Sequence, residues 1–243
     1  MKKSEIAKSL DLKATSIFIA TVTALAVNSL LNSFSQAFEM PGIAKIILAV
    51  FVIVFSLFSA VMTIRGFVAV DKACRISEKN ENFYMGRNLT VFSVVCIIFT
   101  IILFVAALVF SMFIAEYNSA DGLTSSDVQA RNNILVLTAV VNILMQFFAI
   151  STPFIFYLWK IYKIESENKK ISNFALLAMI IFVVHMIISI LNSVYSIKGG
   201  ENSFLPGFSS VVNTVKFVVL FAFFMVRRKN LQAETTQAQT EIQ

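Results

Sequence analysis

The sequence predicts an all-α protein, a polytopic bundle of about six transmembrane helices. Three observations carry this. Apolar residues make up 58% of the 243 and charged residues only 14%, where soluble domains carry roughly one-quarter charged. The apolar residues come in runs of about 20, the length that takes a helix across a bilayer core of about 30 Å. Lys and Arg gather at alternate ends of those runs, which is a topology signal rather than a nucleic-acid patch, despite a net charge of +6.

Residues 1–13 are a charged leader, and span one follows from about Ala14 to Phe34. Ser35-Gln36-Ala37 has the small-x-small form of a signal-peptidase site. The run exceeds the usual h-region of about 7–15 residues, so the expectation is a retained span. Pro41 and Gly42 turn the chain into span two, about Ile43 to Val68, with Lys45 near enough to its end to snorkel. Span three is about Leu89 to Ala115, followed by the longest polar loop, Glu116 to Asn133 with Gly122. Span four, about Ile134 to Trp159, carries Pro153 near one end and a belt of Tyr157, Trp159 and Tyr162. Span five is about Asn173 to Tyr195. Gly199, Gly200, Pro206 and Gly207 flank the loop before span six, about Phe208 to Val226. Residues 1–229 thus form a single transmembrane domain, and the polar residues 230–243, lacking periodicity, are expected to be a disordered cytosolic tail.

Lys2, Lys3, Lys8, Lys13, Arg65, Arg75, Arg87, Lys160, Lys170, Arg227, Arg228 and Lys229 are among the cations of one side; Arg131, Lys198 and, at the edge, Lys45 are those of the other. The bias places both termini in the cytoplasm, and an odd number of spans would scramble it; a plasma (inner) membrane is expected only from the lack of other targeting signals. A faint repeat, Ser-Leu-Leu-Asn-Ser at 29–33 and Ser-Ile-Leu-Asn-Ser at 189–193, is joined by a likeness between 77–83 and 166–174. Three related hairpins would account for it, though apolar sequence of low complexity yields such matches by chance.

Small and polar residues recur at helical spacing along each span: Ser16, Ala20, Ala24, Asn28 and Asn32 in the first, Ser93, Cys96 and Thr100 in the third, His185, Ser189 and Asn192 in the fifth. Such stripes let helices approach closely and find polar partners, so they mark inward faces, either as a dry interface or as a polar path. The 25 Phe residues mostly take the other faces and read as lipid contact and bulk packing. Counting from the charged ends, His185 lies about 12 residues into span five and Lys216 about 11 into span six. Both fall near mid-membrane at about 1.5 Å per residue. The candidate polar site is therefore His185, Lys216, Asn142, Gln146, Asn192 and Asn213. A charge at the bilayer centre costs about 2.5–3.5 kcal/mol, so Lys216 is expected to snorkel, to make an internal hydrogen bond or to meet an anion. For His185 the choice is between a neutral core residue and a proton-handling one.

Absences bound the function. No span contains Asp or Glu, and Gly and Pro are nearly confined to loops, though Pro153 falls inside span four. Coupled transporters usually keep an intramembrane carboxylate or a broken helix, so coupled transport is disfavoured. No His-Glu-x-x-His, Gly-x-Ser-x-Gly or phosphate-binding Gly-rich loop is present, so no enzyme is expected. One His and two separated Cys, Cys74 and Cys96, predict no disulfide, metal or other cofactor. The expected partners are the lipid bilayer and a membrane or cytosolic protein, not nucleic acid. Two functional classes remain. One is an accessory, regulatory or interaction protein acting through helix and loop contacts. The other is a small permease or channel whose outward polar vestibule ends at His185 and Lys216. The first needs the polar stripes packed; the second needs them wet.

Overall fold

The computed structural model of the protein describes residues 3–37, 42–76, 83–119, 124–165, 168–197 and 204–240. Their helices are α1 (Lys3–Ala37), α2 (Gly42–Ile76), α3 (Phe83–Ser119), α4 (Ser125–Phe147), α5 (Thr152–Ile164), α6 (Lys169–Ile197) and α7 (Phe204–Thr240). No strand occurs among the described residues. Among the described residues six stretches are long and apolar enough to cross a membrane, α4 and α5 together making the fourth. The protein is the all-α six-span bundle that the apolar runs predict. Pro41, Gly122, Lys198, Gly199 and Gly200 lie outside the described residues, as does part of the proposed repeat (77–82 and 166–167). So do the side chains of Lys45 and of the cleavage motif at 35–37.

α1 packs against α2 on one side and α7 on the other; α3 covers α2, α4 and α5, and α6 contacts α4, α5 and α7. The ion pairs of Lys8 with Glu234 and of Asp11 with Arg227 hold the start of α1 beside the end of α7. Both terminal helices therefore share one end of the bundle, called here the terminal end. α2 and α3 turn large apolar side chains outward, among them Ile46, Val50, Phe51, Ile101, Ile102 and Phe104. In a bilayer such faces meet lipid tails and need no protein cover.

The centre of the terminal half is aromatic. The Phe18 ring lies 4.9 Å from Phe67, 5.2 Å from both Phe154 and Phe224, and 5.3 Å from Tyr157. All five rings are buried. A Cβ at Gly66 would overlap the Phe18 ring, so that glycine is what lets α1 and α2 close on each other. These phenylalanines are core packing rather than lipid contact.

Two stretches differ from expectation. Span four is not one helix: Phe148–Ser151 break it, and Pro153 opens α5 at its first turn. Lacking an N–H, Pro153 cannot bond the Ala149 carbonyl, which accepts from Thr152 N instead, at 2.9 Å. The tail expected to be disordered from residue 230 continues α7 to Thr240. It contains no Gly or Pro and is rich in Gln, Ala and Glu. The Lys8–Glu234 pair (3.4 Å) ties its first turns to α1, and Leu231 there is buried.

Candidate functional site

The hydroxyls of the terminal half mostly turn back on their own helices. Thr15, Thr21, Ser59, Thr63 and Ser93 each donate to the carbonyl four residues earlier, the usual way for Ser and Thr to be satisfied within a span. Toward the other end the pattern changes, and polar side chains from different helices face one another across a cavity of about 500 Å³. Its mouth carries Asn32, Ser33 and Pro206; its depth is set by His185, Lys216 and Phe217.

Each wall has a local cause. α1 and α6 contribute the same motif twice, Ser29 with Asn32 and Ser189 with Asn192, residues three apart and so on one helix face. α7 contributes Ser209, Ser210, Asn213 and Lys216, again at helical spacing. The last turn of α4 supplies Gln146, and the break after it supplies Ala149, Ile150 and Ser151. There the carbonyl of Phe148, released from the helical ladder, accepts from Thr100 Oγ1 of α3 at 2.6 Å, and that of Gln146 accepts from Thr152 Oγ1 at 3.4 Å. Irregular backbone at membrane depth is tolerated where it lines a cavity.

Cross-helix bonds set the wall. Asn213 Nδ2 donates to Ser29 Oγ at 2.6 Å, Ser33 pairs with Ser210, and Ser189 meets Ser209 at 3.4 Å. Asn28 Nδ2 donates to Ser56 Oγ at 2.9 Å, while Asn28 Oδ1 is buried without a partner among the described residues.

At the deep end Lys216 Nζ lies 3.4 Å from His185 Nδ1. It also sits 4.5 Å from the Phe217 ring centroid and 5.2 Å from that of Phe182. The residue is 5% exposed, so it does not reach the headgroups. Among the described residues it has no carboxylate partner. An ammonium only donates, so His185 Nδ1 accepts, Nε2 carries the hydrogen, and Ser189 Oγ at 3.5 Å accepts from it. A histidine in that tautomer cannot serve as a base toward Ser189, and the trio lacks the logic of a nucleophilic triad.

His185, Lys216, Gln146, Asn192 and Asn213 all line the cavity. Asn142 does not: it is exposed, while the buried positions of α4 are Ala139 and Val141. Counting periodicity to the end of an unbroken span put it on the inner face, whereas α4 stops at Phe147 and only its last turn reaches the cavity. Ser209 and Ser210 are lining residues that the reading of span six missed, although their spacing from Asn213 and Lys216 was a usable signal.

Below the cavity, at the terminal end, lies a second polar cluster. The Arg227 side chain is 6% exposed and pairs with Asp11 at 2.9 Å and with Glu165. It stands 6.0 Å from the Tyr157 ring, whose hydroxyl is buried and unpartnered among the described residues. Burial pushes the Glu165 carboxyl above its ordinary range, and Arg227 opposes that shift. The aromatic rings and this ion cluster together close the terminal end beneath the cavity. Compared with known protein families, curated proteins and solved structures, the chain matches none of them.

Proposed function

We propose that this integral membrane protein is a small permease for a hydrophilic anion, which enters a vestibule at the end away from the termini and reaches Lys216. One observation carries the reading: a cavity of about 500 Å³, walled by amides and hydroxyls, ends at a buried ammonium with no carboxylate beside it among the described residues. Burying a cation at such depth is costly unless something of opposite charge visits it. An accessory protein acting through helix contacts would pack these faces dry, so the cavity favours the permease. The broken span supports it too, since transporter sites are commonly built on discontinuous helices. The Lys and Arg bias argues for termini in the cytoplasm and a vestibule open to the outside of the plasma membrane. No chemical step is assigned, because His185 is held by Lys216 in the tautomer that cannot activate Ser189.

Cysteine accessibility tests this directly. With Cys74 and Cys96 replaced, single cysteines at Asn32, Asn192, Lys216 and Asn142 are exposed to a charged, membrane-impermeant thiol reagent. Labelling at the first three from the side away from the termini, with Asn142 protected by lipid, is the expected result. Protection at Asn192 and Lys216 from that side would return the protein to the interaction class.

A further inference from the structure

Resting on the permease reading, we infer that the anion is carried together with a proton, the anion on Lys216 Nζ and the proton on His185 Nδ1. The coupling follows from one hydrogen bond. Lys216 Nζ donates to His185 Nδ1 at 3.4 Å, and Nε2 directs its hydrogen to Ser189 Oγ at 3.5 Å, so Nδ1 is the one ring position that can gain a proton. In the empty site that position is taken. A proton placed there would remove the acceptor of the ammonium and set two cations 3.4 Å apart, with no carboxylate beside them among the described residues.

An anion reverses both effects. It offers the ammonium a charged acceptor, stronger than a neutral ring nitrogen, and so releases Nδ1. Its charge then offsets that of the imidazolium at the deep end of the cavity, where such attractions are less screened than in water. Anion and proton therefore favour each other's binding, by the same factor in either direction. The ring need not turn, because Nε2 keeps Ser189, which itself meets Ser209.

The surroundings leave this pair to act alone. α6 packs against α4, α5 and α7. From α7, Lys216 faces His185; no titratable residue of α4 or α5 lines the cavity, and none of α1 or α3 does. The other contacts of the ammonium are the rings of Phe182 and Phe217, which carry no charge. His185 is half-buried and lines the cavity, so a proton reaches it through the same water that brings the anion. A single Lys and no Arg line the cavity, which suits a monovalent anion. Loaded with both, the site holds the one positive charge that it holds empty, and the pair crosses without net charge. An intramembrane histidine thus serves where coupled transporters usually keep a carboxylate.

His185 is the only histidine of the chain, so isotopic labelling of histidine ring nitrogens reports on it alone. The full protein, purified without a histidine tag and placed in nanodiscs of neutral lipid, is titrated with nitrate and with methanesulfonate, which take up no protons themselves. Calorimetry reads binding, and the magnetic-resonance signals of the two ring nitrogens read protonation. At pH 6 we expect a neutral ring with its hydrogen on Nε2 in the anion-free protein, and an imidazolium once either anion saturates. Affinity should rise by up to about 10-fold per pH unit from pH 8 to pH 6. His185→Gln, which keeps an acceptor for Lys216, should bind the anion without that slope. Heat of binding with a ring still neutral at saturation would overturn proton coupling and leave the anion site standing. No heat from either anion, or heat unchanged in Lys216→Met, would overturn the permease reading and this inference with it. The wild-type signals decide the coupling by themselves, so a variant that fails to fold does not shelter the proposal.

Discussion

Arg227 and Lys216 are both buried cations on α7, yet Arg227 meets two carboxylates and Lys216 meets none among the described residues. The first arrangement is structural and the second invites a ligand. Truncating one member of a buried pair leaves an uncompensated charge and typically costs about 3–5 kcal/mol. Glu165 adds a pH dependence with a definite sign. Its carboxyl is raised by burial against the pull of Arg227, so on raising pH the unfolded chain releases this proton before the folded one does. Stability therefore falls as pH climbs from the ordinary carboxylate range to the raised value, and is flat above it. Glu165→Gln removes that contribution while keeping an acceptor for Arg227. Thermal unfolding in nanodiscs from pH 4 to 7 should show the wild type losing ground to the variant as pH rises; parallel curves would refute it. At this scale depth was legible, because counting residues along two helices brought His185 and Lys216 to one level. The partners of Arg227 were not legible: Asp11 is 216 residues away and Glu165 62, and no local pattern links them.

The helices themselves were legible as apolar runs, since a bilayer demands about 20 residues that satisfy their own backbone. Their interruptions were not. Phe148-Ala149-Ile150 is as apolar as the rest of span four, and the one signal, Pro153, permits a kink as readily as a break. Stripe counting marked inward faces at Ser93 and Ser189, both buried, and failed at Asn142, ahead of the break, which is exposed. The close approach of α1 to α2 was also hidden, because a glycine within a span announces neither its neighbour nor its purpose. Gly66→Ala sets a methyl against the Phe18 ring in a cluster already packed on every side. Overpacking of this kind costs about 1–3 kcal/mol. A lower unfolding temperature for Gly66→Ala, partly restored in the double variant with Phe18→Leu, is the expected outcome; equal melting of Gly66→Ala and wild type would mean that the two helices simply move apart.

Taken as a whole the molecule is asymmetric along its long axis, with an open polar half at the mouth of the cavity and a terminal half sealed by aromatic rings over the Arg227 cluster. The seal joins α1, α7 and α5, and the cavity is walled by α1, α6, α7 and the break between α4 and α5. A solute at Lys216 can leave on the terminal side only if these elements separate there, and the Arg227 contacts are what oppose it. A permease therefore requires that weakening the cluster shift the protein toward a state open at the terminal end. Ala175 of α6, 0% exposed within the sealed core, is a position to read this. With Cys74 and Cys96 replaced, Ala175→Cys should resist a charged thiol reagent from both sides of the membrane. Adding Asp11→Asn with Glu165→Gln should admit the reagent from the terminal side and reduce labelling of a cysteine at Asn192 from the other. The two changes remain coupled because one rearrangement of α1 and α7 opens one end as it closes the other. Should Ala175→Cys stay protected in the folded variant, the terminal half is a fixed floor, and the cavity would bind its anion without passing it on.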